Sequence, residues 1–135
     1  MNMNELQEQG RQTLREVLGT DYAQRRDDST NDFNGDIRAA SEMFCFGATW
    51  GRPGLTRQQR SLLCIAIMTT LGRAEELRLH VIGAVNNGCT VEQIKEVFMH
   101  CIIYVGLPTA SSAAKVAEGV LRERGLLPAA PAAGR

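Results

Sequence analysis

Between Arg73 and Asn87 a helical reading puts Arg73, Glu76, His80, Gly83 and Asn87 at alternating steps of three and four, so these residues share one face. That face carries a cation, a carboxylate, an imidazole and an amide, a set able to bind an anion and to move a proton near neutral pH. His80 is the candidate proton donor or oxyanion partner, because an imidazole titrates closest to neutrality. Glu76, one turn earlier, is placed to orient the ring and to favour its charged form. Arg73 suits bidentate binding of a carboxylate. The same spacing also arises in an ordinary surface ion pair worth about 0.3 kcal/mol, and spacing alone does not separate the two. The other histidine, His100, stands beside Cys101, but adjacent helical residues point away from each other.

The elements that must position this face can be read along the chain. Leu77, Val81, Ala84 and Val85 form an apolar stripe that would seat the central helix, and Asn86-Asn87-Gly88 ends it. Before it, Thr56-Arg57-Gln58-Gln59 is a capping box that opens a helix whose run Leu62 to Met68 is apolar nearly all round, which predicts burial on most sides. After it, Thr90-Val91-Glu92-Gln93 is a second capping box, followed by Ile94, Val97, Phe98, Cys101, Ile102 and Val105 at helical spacing. Gly106 and Pro108 punctuate, and a last helix carries Ala110, Ala113, Ala114 and Ala117 to about Arg124.

Towards the N-terminus, residues 4–18 predict a helix closed by Gly19. A polar connector follows from Asp21 to Asn31, with Arg25-Arg26-Asp27-Asp28 as a solvated bend. A second helix is predicted from about Asp36 to Phe46, entered through Asn31-Asp32-Phe33-Asn34-Gly35. Gly47 to Gly54 should break it, with Arg52-Pro53-Gly54 as a turn. The expected fold is all-α: one compact domain of about six helices over residues 1–127, with an Ala/Pro-rich, disordered tail at 128–135.

Composition narrows the functions open to such a fold. Fifteen basic residues balance fifteen acidic ones among 135, which argues against a nucleic-acid or anionic-membrane partner. The start is polar and the chain has no 18-residue apolar run, so neither a signal peptide nor a membrane span is predicted, and a cytoplasmic protein is expected. Cys45, Cys64, Cys89 and Cys101 stand singly, without C-x-x-C or metal-ligand spacing, as reduced and mostly buried thiols would. No metal site is expected. The apolar runs exceed what a small monomer needs, which points to a homo-oligomer.

The segments Leu71-Gly72-Arg73-x-x-Glu76-Leu77-Arg78-Leu79-His80, Asn86-Asn87-Gly88-x-Thr90, Glu92-x-Ile94-Lys95-Glu96-Val97 and Ile103-Tyr104-Val105-Gly106-Leu107-Pro108 resemble the carboxymuconolactone decarboxylase family. Asn31 to Gly35 and Trp50-Gly51-Arg52-Pro53-Gly54-Leu55 are similar to the decarboxylase branch of that family, and the resemblance covers roughly residues 4–125. It implies an all-α, alkylhydroperoxidase-like helical fold, assembled as a ring-shaped hexamer or trimer. It also implies cofactor-free conversion of 4-carboxymuconolactone to β-ketoadipate enol-lactone and carbon dioxide in protocatechuate breakdown. The substrate would then be a small anionic lactone. Losing carbon dioxide pushes two electrons into the conjugated lactone, so the substrate is its own electron sink. The protein has to bind anionic groups, stabilise charge on the lactone oxygen and return a proton to carbon. His80 and Glu76 are the catalytic candidates. Arg73, Trp50 and Arg52 are the substrate-binding ones; the last two precede the Pro53-Gly54 turn, where a loop could close a pocket with Arg52 as a carboxylate clamp.

Two features set this chain apart within the family. A sister branch of thiol peroxidases carries Glu, then C-x-x-C, then His; aligned on His80, its cysteines fall on Arg73 and Glu76 and its glutamate on Ser61. Disulfide exchange at that place is excluded. A redox protein would have to use one of the four cysteines singly. A lyase or isomerase acting on another lactone or β-keto acid is the other alternative. The second feature is Ser41 to Thr49, where the branch commonly has a tryptophan before the glycine and this chain has Phe46.

Overall fold

The computed structural model describes residues 1–130. Every regular element among them is helical, as expected: α1 (Met3–Leu18), α2 (Thr20–Asp28), α3 (Gly35–Ala40), a π-helical segment (Ser41–Thr49), α4 (Arg57–Leu71), α5 (Ala74–Asn86), α6 (Val91–Tyr104) and α7 (Leu107–Glu123). They form two compact units, residues 1–60 and residue 61 onward. No helix among the described residues is long and apolar enough to cross a membrane.

In the first unit, α1 starts on a reciprocal Asn2/Glu5 capping box and buries Leu14, Val17 and Leu18. The segment expected to be a solvated bend is instead α2. Its Arg26 is turned inward, with Nη1 donating to Glu42 Oε1 at 2.6 Å, while Gln7 Nε2 donates to Glu42 Oε2 at 2.8 Å. A charged run reads as solvated only until a buried carboxylate claims one of its members. The second predicted helix also runs further than expected. Gly47 does not break it; it lies buried in the π-helix, where an added Cβ would come 2.6 Å from Leu6 O. Glycine serves there for close backbone approach rather than as a stop. The break comes after Trp50, and the Pro53-Gly54 turn is where the sequence put it.

In the second unit, both capping boxes form. Gln59 N donates to Thr56 Oγ1 at 3.1 Å at the head of α4, and Gln93 N donates to Thr90 Oγ1 at 3.1 Å at the head of α6. One apolar cluster unites Ile65 of α4, Leu77, Val81 and Ala84 of α5, Ile94 and Phe98 of α6, and Ala113, Ala117 and Val120 of α7. The expectation that α4 is buried on most sides is not met in the single chain. Its buried line is Ser61, Ile65 and Thr69, while Leu63 and Ile67 are each 50 % exposed. Of the tail predicted at 128–135, residues 131–135 lie outside the described residues. Pro128 to Ala130 carry no regular structure, and Pro128 O accepts from Arg122 Nε at 3.1 Å.

Candidate active site

The tight junction between α4 and α5 positions the polar face. Gly72 takes φ +69°, Gly72 N donates to Thr69 O and Arg73 N donates to Met68 O. This Schellman closure needs a residue free to adopt the left-handed region, and it places Arg73 at the N-cap of α5. From there Glu76 and His80 follow on one face, and Leu77, Val81 and Ala84 bury the opposite side.

Arg73 and Glu76 meet. Nη2 donates to Glu76 Oε1 at 2.6 Å and Nε to Oε2 at 3.4 Å. Hydrogen bonding from Arg73 holds the Glu76 carboxyl below the usual range, and Glu76 raises Arg73 in turn. His80 sits half-buried, and its Nδ1 has no hydrogen-bond partner among the described residues. Burial pushes its imidazole below the usual range; the Glu76 carboxylate pulls the other way but does not prevail. The idea that Glu76 keeps His80 protonated is therefore corrected for the free chain, because desolvation of the cation outweighs a partner already neutralised by Arg73. The ring rests neutral, with an unfilled position for an incoming hydrogen-bonding group.

Asn87, at the far end of the face, donates through Nδ2 to Ser61 Oγ at 2.9 Å, and Ser61 is wholly buried. Arg73 also borders a cavity of about 400 Å³ between the α4–α5 junction and the start of α7. Thr69, on its wall, escaped the sequence reading; a threonine inside an apolar helical run carries no signal that sets it apart from core.

The two remaining candidates belong to the first unit. Trp50 is buried and stacks on Phe46 with ring centroids 5.8 Å apart. Phe46 thus holds the place of the missing tryptophan as a core ring. Arg52 is exposed and makes no ion pair among the described residues; its carbonyl accepts from Arg60 Nη2 at 3.0 Å. His100 lies exposed over Tyr104.

The thiols are separate from the polar face. Burial raises both Cys89 and Cys101, which disfavours the reactive thiolate. Among the described residues no three His, Cys, Asp or Glu side chains gather as a metal-binding group.

Comparison with known proteins places this geometry. The model of the carboxymuconolactone decarboxylase family matches residues 36–119. A 4-carboxymuconolactone decarboxylase of Acinetobacter baylyi is 41% identical over 128 residues, covering 95% of this chain and 96% of that protein. The nitrosuccinic acid decarboxylase of Metarhizium robertsii is 31% identical over 116 residues, covering 86% of this chain and 81% of the relative. With the family model spanning well over half its length, and the Arg73–Glu76–His80 face inside the matched segment, this chain belongs to the carboxymuconolactone decarboxylase family.

Proposed function

We propose that this protein is a carboxy-lyase that converts 4-carboxymuconolactone to β-ketoadipate enol-lactone and carbon dioxide, with no cofactor. The observation that carries the reading is the 41% identity, over 95% of the chain, to a protein of that activity. Two different decarboxylases among the relatives support the reaction class.

The chemistry assigns a task to each residue of the polar face. The C–C bond to the departing carboxylate breaks, its electron pair enters the conjugated ring, and negative charge accumulates on the lactone oxygen. His80 rests neutral. Two negative charges on the bound substrate favour its protonated form, so the ring takes up a proton on binding and returns it to the ring carbon next to the carbonyl. Lowered acidity of the dienolate's conjugate acid is not required; a poised imidazolium suffices. Glu76 orients the ring and Arg73 holds a substrate carboxylate. Trp50 and Arg52 enter as substrate-binding residues on the sequence alone. The reading includes action in the cytoplasm, in aromatic catabolism, as a homo-oligomer, a hexamer or trimer.

Purified protein incubated with 4-carboxymuconolactone should release carbon dioxide at a rate unchanged by prior dialysis against a chelator. No release, or release restored only by a divalent ion, sinks this assignment. The Metarhizium relative favours one second reading, another small acid as substrate. Nitrosuccinate offered in parallel separates the two. Titration of reactive thiols in the native protein tests the redox alternative, which needs at least one fast-reacting cysteine.

A further inference from the structure

Thr69 is 1% exposed, and its Oγ1 has no hydrogen-bond partner among the described residues. Its neighbour Thr70 behaves as a helical threonine ordinarily does, donating from Oγ1 to Ala66 O at 2.8 Å. Thr69 does not, although a buried, unmade hydroxyl bond carries a desolvation penalty. It borders the cavity of about 400 Å³ that Arg73 also borders, a volume within the ~300–1,000 Å³ of small-molecule sites.

The chemistry of that cavity points one way. Its polar side chains are Thr69, Arg73, Thr109 and Ser112, all able to donate, and no Asp or Glu lines it. Two helices of 13 and 17 residues begin on its wall, α5 at Arg73-Ala74 and α7 at Pro108-Thr109, and neither has a side-chain cap. Uncapped first-turn amides favour an anion. Glu76 occupies Nε and Nη2 of Arg73, which leaves Nη1 for another acceptor. Met68, Leu77, Ala113 and Val116 supply apolar walls.

We propose that this cavity binds the carboxylate that the substrate keeps, with the Thr69 hydroxyl and the Arg73 guanidinium as donors; this makes Thr69 a binding residue of the decarboxylase and rests on the function proposed above. A donor-rich pocket suits the retained carboxylate rather than the departing one. The departing group becomes neutral carbon dioxide, so strong hydrogen bonds to it would stabilise the ground state more than the transition state and slow the reaction.

The test is Thr69→Val, which keeps shape and removes the hydroxyl, with Thr69→Ser as the conservative control. Thr69→Val should raise KM for 4-carboxymuconolactone on the order of 10-fold, the worth of a hydrogen bond to a charged group, with kcat within about twofold. Thr69→Ser should recover most of the loss, and thermal stability should not fall in either variant. Succinate serves as a probe independent of turnover. Titrated into the native protein and followed by amide chemical shifts, it should move Arg73, Ala74 and Thr109 saturably, and Thr69→Val should weaken that binding by a similar factor. Wild-type KM and unchanged succinate binding in Thr69→Val, or shifts clustered elsewhere, overturn the proposal. If 4-carboxymuconolactone is not turned over while succinate binds in a Thr69-dependent way, the carboxylate site stands and the substrate assignment fails.

Discussion

The imidazole of His80 is the side chain on which the proposed chemistry turns, and its half-burial sets a testable sign. If it returns the proton to carbon, His80→Ala should lower kcat about 10²–10⁴-fold, the usual worth of a positioned acid-base group. Its resting pKa lies below the usual histidine value, so kcat/KM should decline as pH rises through that lowered value, while kcat holds to higher pH because the bound dianion favours the charged ring. Glu76→Gln removes the one group that raises the imidazole, and should move the decline to still lower pH. Arg73→Ala should raise KM more than it lowers kcat. Stability follows the same group with its own sign. A depressed imidazole contributes stability that is full above about pH 6.5 and is lost as pH falls through the folded-state pKa. Denaturation at pH 5 and 7.5 should therefore show a larger acid penalty in the wild type than in His80→Gln. A near-normal rate in His80→Ala, with the other two variants merely less stable, would make the whole face structural.

At the scale of elements, the packing of α1 against the π-helix is the least tolerant feature of the first unit. A Cβ on Gly10 would stand 1.7 Å from Glu42 O, a position that backbone cannot vacate without breaking the π-helix. Gly10→Ala should cost at least the ~1–3 kcal/mol of an overpacked core. Glu42→Gln should cost about 3–5 kcal/mol, because it leaves Arg26 as an uncompensated buried charge; the two side chains are only 10% and 6% exposed. Urea denaturation measures both, and a loss under 1 kcal/mol for Glu42→Gln would mean that water reaches Arg26 readily. The π-helix covers the stretch where the chain departs from its family's pattern, and extra-wide helical turns are frequent at functional sites.

At the scale of the whole molecule, the single chain leaves apolar surface uncovered. Leu63, Ile67 and Leu71 of α4 and Met99, Ile103 and Tyr104 of α6 are each at least half exposed. Contiguous apolar surface of this kind marks an interaction site, and the proposed occupant is a second copy of the chain. Light scattering at micromolar concentration should give a trimer or hexamer, and Ile67→Glu together with Ile103→Glu should reduce it to smaller species. A wild-type monomer that is fully active would overturn the assembly.

The sequence by itself determined the helical class, both capping boxes, the α5 stripe with its buried Leu77, Val81 and Ala84, and the pairing of Arg73 with Glu76. All of these are local, set by residues within about a turn of one another, and the 3.6-residue period records them directly. The family, too, was legible in short contiguous motifs. Tertiary structure decided what depends on distant partners. Arg26 reads as solvated until Glu42, sixteen residues on, receives it; Gly47 reads as a stop until the carbonyl of Leu6 comes close enough to forbid any side chain. His80 reads as charged beside Glu76 until burial is known, and Thr69 reads as one more core residue until its hydroxyl is found without a partner on the wall of a cavity. Desolvation and close approach are properties of the packed chain, and no spacing in the sequence encodes them.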